Sequence, residues 1–238
     1  MIVQACLNGA RPVDFHQRIP LSVDAIARDS AACVAAGAAE LHIHPRDPDR
    51  RESLTSIDET MAAVRRACPG TLIGVSTGAW IENDVAGTRA AIAGWRELPD
   101  YASVNLSEPD APAVMDLLRS RYVGIEAGLA SAADAERFIR LPGHASVLRV
   151  LIEPRAQDRG EALLAIDDIA SVLNRAGLRR QILLHGFDAT VWPLVEEAHR
   201  RRWSTRVGLE DGKALPDGAP AVGNAALVAA AVAVYRLA

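Results

Sequence analysis

Residues Glu40 to Ser76 read ELHIHPRDPDRRESLTSIDETMAAVRRACPGTLIGVS. At the front, Leu41 and Ile43 alternate with His42 and His44, the two-residue period of a strand. A turn rich in Pro, Asp and Arg follows, and Ile57 to Ala67 is an alanine-rich amphipathic segment at helical spacing. Pro69-Gly70 punctuates its end, and Leu72 to Ser76 is again a short aliphatic run. This strand, helix, strand order is the unit that builds parallel sheet, because parallel neighbours need a long crossover.

Working outward in both directions, the unit repeats. Strands are expected at Ile2 to Leu7, Glu40 to His44, Leu72 to Ser76, Ala102 to Leu106, Tyr122 to Glu126, Val147 to Glu153, Gln181 to His185 and Trp203 to Val207. Helices are expected at Ser22 to Ala36, Ile57 to Ala67, Asn83 to Trp95, Pro112 to Ser120, Ala132 to Ile139, Gly160 to Ala176, Ala189 to Arg201 and Asn224 to Arg236. Eight strict alternations in 238 residues point to one closed (β/α)8 barrel over residues 1–238 rather than an open doubly wound sheet. The first strand also lacks the GxGxxG of a dinucleotide-binding sheet.

Composition excludes several classes. Half of the residues are hydrophobic, 24% are charged, and the net charge of −4 comes with basic residues spread along the chain, so a nucleic-acid partner is not expected. Cys6, Cys33 and Cys68 are far apart and form no CxxC pair, and are read as small core residues of a cytoplasmic protein. The opening MIVQACLNGARP has no basic region before its apolar run and reads as a strand rather than a leader. The longest apolar stretch, Ala225 to Tyr235, falls short of the roughly 20 residues needed to cross a bilayer. That last helix closes the barrel or packs on a second subunit, and the four tryptophans are expected between helices and barrel.

Barrel enzymes assemble their sites at the carboxyl ends of the strands. Polar residues fall there in turn: Asn8 and Arg11, His42 and His44, Ser76 and Thr77, Asn105, Glu126, Glu153, His185, then Arg206, Glu210 and Asp211. Several of these are ordinary strand-end and turn residues. His42 and His44 lie on one face of their strand, about 6.5 to 7 Å apart, a span across which two imidazoles converge on one metal ion. Read alone, the pair fits a hydrogen-bonded core pair equally well. Arg46 adds a cation at the same rim. Glu210 is the candidate third ligand, since strands two and eight both flank strand one; by itself its Glu-Asp-Gly setting fits an acidic turn. Glu126 and Glu153 are candidate second bases or buried carboxylates, with Glu126 favoured.

The stretch HIHPRDPD, together with Val75-Ser76-Thr77-Gly78, Ser103-Val104-Asn105, Arg206 to Asp211, Gly223-Asn224 and the opening Ala5 to Ala10, resembles the β-keto acid cleavage enzymes, including the 3-keto-5-aminohexanoate cleavage enzymes. The resemblance runs the length of the chain. It implies a zinc-dependent barrel that exchanges a β-keto acid with acetyl-CoA to give acetoacetate and a new acyl-CoA. His42, His44 and Glu210 then match the metal ligands, Asp211 and Arg206 the proton-abstracting pair, and Ser76 a substrate-contacting serine. Thr77, Asn105, Arg46 and His185 fall at positions near the substrate. Segments after strands four, five and six are shorter than the family's, and they bear on the coenzyme A cleft. Arg11 stands where members acting on amine-bearing substrates carry an acidic residue, which favours a neutral or anionic tail. A homo-oligomer, dimer or tetramer, is expected. Two other readings stand beside this one: a different metal-assisted carbon–carbon cleavage of a small keto acid, and a non-catalytic metal-containing barrel that binds a metabolite.

Overall fold

The computed structural model describes residues 1–236 and shows strands and α-helices in strict alternation. The strands are β1 (Val3–Cys6), β2 (Glu40–Ile43), β3 (Leu72–Ser76), β4 (Tyr101–Asn105), β5 (Gly124–Leu129), β6 (Arg149–Ile152), β7 (Gln181–Leu184) and β8 (Ser204–Val207). Each is followed by its helix: α1 (Val23–Ala35), α2 (Ile57–Ala67), α3 (Val85–Gly94), α4 (Ala111–Ser120), α5 (Ala132–Arg140), α6 (Arg159–Arg175), α7 (Val191–Arg201) and α8 (Asn224–Arg236). All pairings are parallel, and β8 returns to β1, so the sheet closes into a (β/α)8 barrel.

Sequence chemistry accounts for the ends of the helices. Ser22, Asp84, Ser131 and Asp158 each accept a backbone N–H of the first turn that follows. Arginines crowd the last turns of α2, α5, α6 and α7, where the helix dipole favours cations. Leu41, Ile43, Ile73, Val75, Val104 and Val150 point outward from the strands and meet Ile26, Met61, Val64 and Met115 of the helices, all buried. Cys6, Cys33 and Cys68 are free and buried, as expected for small core residues. No helix among the described residues is long and apolar enough to cross a membrane.

Inside, the register stacks polar groups. Gln4 pairs with Glu40, Ser103 with Glu126, and Glu126 with Arg149. Arg149, fully buried, is ion-paired to Glu40 and, through Nε, to Glu126 Oε2 at 3.0 Å. Its guanidinium carbon lies 4.8 Å from the ring centroid of Tyr101. The Tyr101 hydroxyl donates to the carbonyl of Leu41 at 2.8 Å and accepts from Gln4 Nε2 at 2.8 Å. Charges this deep persist because they are paired. Gly74 makes the layer possible, since a Cβ there would occupy the space of the Tyr101 ring.

One strand differs from expectation in a way that moves a site residue. β5 begins two residues later than Tyr122 and runs on to Leu129. Tyr122 has φ +61° and is 96% exposed, which ends the preceding helix turn rather than starting a strand. Glu126 is therefore mid-strand, in the interior layer with Arg149, and Gly128 and Ala130 supply the β5 side of the barrel mouth. Trp80 also departs from expectation: it is half exposed at the mouth, its Nε1 donating to Glu52 at 2.9 Å, whereas Trp95 is buried.

Candidate active site

The carboxyl ends of the strands open onto a cavity of about 500 Å³. On its β2 side, alternation puts His42 and His44 on the inner face, with ring centroids 5.1 Å apart and their Nε2 atoms 3.2 Å apart. Asn8, just past β1, fixes the end of β2: its amide donates to the carbonyl of His44 at 2.9 Å and accepts from the backbone N–H of His44 at 3.0 Å. From β8, Glu210 Oε2 comes to 3.6 Å from His44 Nε2. Asn224 pins the β8 loop by accepting from the N–H of Leu209 at 2.6 Å and donating to the carbonyl of Leu7 at 2.8 Å. Gly9, at φ +51°, leaves the room that the Glu210 side chain fills.

These atoms suit a divalent ion. Nitrogen and oxygen donors bonded tetrahedrally at about 2.0 to 2.1 Å lie roughly 3.3 Å from one another, close to the separations of 3.2 and 3.6 Å found here. One donor atom from each of His42, His44 and Glu210 lies within 4.8 Å of the others. Glu210 Oε2, although buried, has no hydrogen-bond partner among the described residues. Burial, aided by Arg206, holds the pKa of His42 well below the ordinary imidazole value, so its ring is neutral. Burial also opposes charge on His44, but the Glu210 and Glu52 carboxylates outweigh it and push that imidazole up to about 9. Arg206 and the two histidines drive Glu210 well below the usual carboxylate range against the effect of burial.

A chain of polar groups leads away from this cluster. Arg206 is ion-paired to Glu210 and lies 3.7 Å from Asp211 Oδ1. The same Asp211 oxygen lies 2.7 Å from His185 Nε2, and His185 Nδ1 lies 3.4 Å from Glu153 Oε2. Burial and Arg206 oppose a charged His185, yet Asp211 and Glu153 at its two nitrogens raise its pKa. Asp211 is fully buried behind the imidazole, while His185 lines the cavity.

Of the residues picked out from sequence, the structure brings His42, His44, Ser76, Asn105, Arg11, His185, Arg206 and Glu210 to the cavity wall, with Asp211 behind them. Three lie elsewhere. Glu126 stands in the interior layer below; burial raises its carboxyl pKa although Arg149 opposes this. Thr77 turns its hydroxyl to the carbonyl of Ser103 at 2.7 Å, as a strand-end tie. Arg46 spends its guanidinium on the carbonyls of Gly9 and Arg50 and on Glu52, 3.8 Å away. Arg11 reaches the cavity, but as a clamp: it donates to Asp188 at 2.7 Å and to the carbonyls of Glu210 and Asp211 at 2.9 and 3.2 Å.

Sequence reasoning did not find Glu52, Ser103, Arg155, Phe187 or Asp188, and it ranked Glu153 below Glu126. Glu52 comes into place because the loop after β2 doubles back, with an antiparallel bridge between Arg46 and Glu52 and Arg50 at φ +66°. A carboxylate within ten residues of two converging histidines was the available signal.

The family model for beta-keto acid cleavage enzymes matches residues 1–131, more than half of the chain. Two curated relatives, the 3-keto-5-aminohexanoate cleavage enzymes of Fusobacterium nucleatum and Acetoanaerobium sticklandii, are each 31% identical over 81 residues, which is 33% of this chain and 30% of theirs. Among solved structures, the ternary complex of ObcA with C4-CoA adduct and oxalate superposes with a TM-score of 0.72 at 19% identity, over 89% of this chain and 62% of that one. A type I 3-dehydroquinate dehydratase from Clostridium difficile superposes with a TM-score of 0.65 at 10% identity, over 99% and 91% of the two chains. Both likenesses are of the barrel fold. With the His-His-Glu cluster at the mouth of that barrel and the family model across its first half, the chain belongs to the beta-keto acid cleavage enzyme family.

Proposed function

We propose that this protein is a zinc enzyme that exchanges a β-keto acid with acetyl-CoA, giving acetoacetate and the acyl-CoA of the remaining carbons. The observation that carries the reading is the convergence of His42 Nε2 and His44 Nε2, 3.2 Å apart, with Glu210 Oε2 at the barrel mouth of a chain in this family. His42, His44 and Glu210 would hold the ion. When bound, it would supply a Lewis acid for the carboxylate and keto oxygens of the substrate. The chain's own groups handle the rest. Ser76 and Asn105, on neighbouring strands of the same wall, hold substrate oxygens. Asp211 takes the methylene proton through cavity-facing His185, and Arg206 holds both Asp211 and Glu210 in place. The carbanion carbon then attacks the thioester carbonyl and expels the coenzyme A thiolate. The thiolate adds to the original keto carbonyl, and the bond from that carbon to the former methylene carbon breaks to release the acyl-CoA. The proton held at Asp211 returns to the acetoacetate carbanion. The three buried free cysteines support a reducing, cytoplasmic setting.

Incubating the purified protein with a panel of β-keto acids, with and without acetyl-CoA, tests the reading. Exchange requires both substrates and yields acetoacetate. Carbon–carbon cleavage without the thioester would replace it with the simpler metal-assisted reaction, and turnover of neither would make the barrel a metabolite binder.

A further inference from the structure

Arginines that are scattered in the sequence are gathered by the fold at the floor of the barrel, the end opposite the cavity described above. Helices α5, α6 and α7 end there in Arg140, Arg175, Arg200 and Arg201, and the loops leading into β7 and β8 add Arg179, Arg180 and Arg202. No Asp or Glu falls in loops 141–148, 176–180 and 202–203. The carboxylates on the neighbouring helices are taken, Glu197 by Arg200 and Arg201 and Asp167 by Arg201. At the starts of β7 and β8 lies a separate cavity of about 260 Å³, whose wall includes Arg180, Gln181, Arg202, Trp203 and Ser204.

Donors on that wall lack acceptors among the described residues. Ser204, only 1% exposed, accepts at Oγ from the backbone N–H of Ile2 at 3.1 Å and from Gln181 Nε2 at 3.0 Å, which leaves its hydroxyl proton with nothing to donate to. Arg180 spends Nε and Nη2 on the carbonyl of Ala145 and keeps Nη1 free. Arg202 is exposed and its guanidinium is unpaired. Its backbone sits at φ +58° and ψ 37°, the left-handed helix end that ordinarily selects Gly or Asn, yet the residue there carries a cation to the cavity.

We propose that this floor cavity is a second binding site, for a small phosphate-bearing anion, held by Arg180, Arg202 and the hydroxyl of Ser204. A buried O–H without an acceptor is costly, and an anionic oxygen satisfies it while two guanidiniums supply charge-assisted hydrogen bonds. These donors come from two loops and a strand, so they do not share a plane. That arrangement suits the tetrahedral oxygens of a phosphate better than a flat carboxylate. The cavity exceeds a single phosphate and leaves room for a small organic group beside Trp203. The site lies at the other end of the barrel from His42, His44 and Glu210, and its existence does not depend on the reaction proposed there. Carboxylates of a polyacid share part of this chemistry, and the experiment separates the two sources.

Calorimetry and thermal melts of the full chain are run with inorganic phosphate, diphosphate and citrate, at one ionic strength set with potassium chloride so that general screening is constant. Diphosphate is expected to bind one per chain, more tightly than citrate, and to raise Tm progressively with its concentration. Arg202→Gln should weaken diphosphate about 10-fold or more, the loss of one charge-assisted contact, and Ser204→Ala should weaken it as well. Arg179→Gln removes a floor charge outside the cavity and should leave binding unchanged. No binding above the chloride background, tighter binding of citrate, full affinity retained in Arg202→Gln, or an equal loss in Arg179→Gln and Arg202→Gln would each overturn the proposal. Should Arg202→Gln fail to fold, Arg180→Gln reads the same loss from the other side of the cavity.

Discussion

Glu52 Oε2 lies 3.3 Å from Nδ1 of His44, on the opposite edge of the ring from the Nε2 that faces His42 and Glu210. With an ion bound in place of the Nε2 proton, a carboxylate there would keep the remaining proton on Nδ1 and leave the Nε2 lone pair for the metal, the support that metal-binding histidines usually have. Glu52→Gln should weaken binding of zinc about 10 to 100-fold, and His42→Ala should abolish stoichiometric metal. Competition with a chromophoric chelator and elemental analysis read the two effects. Full metal content in His42→Ala would place the ion at another site.

Asp211 and His185 are expected to act on the reaction rather than on the metal. Asp211→Asn keeps the shape of the side chain but removes the acceptor for a proton arriving through His185, so kcat should fall about 10² to 10⁴-fold while zinc content stays stoichiometric. Unchanged turnover in a fully loaded variant would take the pair out of the mechanism.

Arg11 ties the loop after β1 to the loop after β8 through the carbonyls of Glu210 and Asp211 and the carboxylate of Asp188. Its charge is neutralised by Asp188, so it is not free to select a substrate tail. Arg11→Ala should therefore cost about 1 to 3 kcal/mol of stability and lower kcat/KM by the same factor for acidic and neutral keto acids. Denaturant melts and the substrate panel measure these; a changed ranking of acids would return the selecting role to Arg11.

Far from the cavity, Glu197 of α7 accepts from Arg200 Nε at 2.8 Å and is also paired with Arg201. The hydrogen bonds from Arg200 act first, and together with Arg201 they bring the carboxyl down to about 2. Its pKa is lower folded than unfolded, so its stabilising effect is present above the unfolded value of about 4.3 and is lost as pH falls to about 2. Unfolding free energies of the natural protein and Glu197→Gln should differ by a constant amount above about pH 5 and converge towards pH 2. A gap that persists undiminished at pH 2 would mean the difference comes from packing rather than from ionisation.

Sequence alone determined the barrel, because each βα unit declares itself locally: a two-residue period, a helical period and turn residues recur eight times, and closure follows from their number. The histidine pair was legible for the same reason, since alternation along β2 puts both rings on one face whatever the rest of the chain does. Glu210 was legible because its strand and β2 share β1 as a neighbour. Position along a strand was not. A two-residue shift in the start of β5 carried Glu126 from the mouth into the interior with Arg149, and only the register against β4 and β6 decides that shift. Nor did sequence say which arginine is free. Arg11, Arg46 and Arg155 carry the same charge at similar strand ends, and what separates them is whether carbonyls and carboxylates from distant loops arrive within hydrogen-bonding reach. Such partners are brought together by loop conformation and long-range packing, which have no period along the chain to be read, so only the tertiary structure decided them.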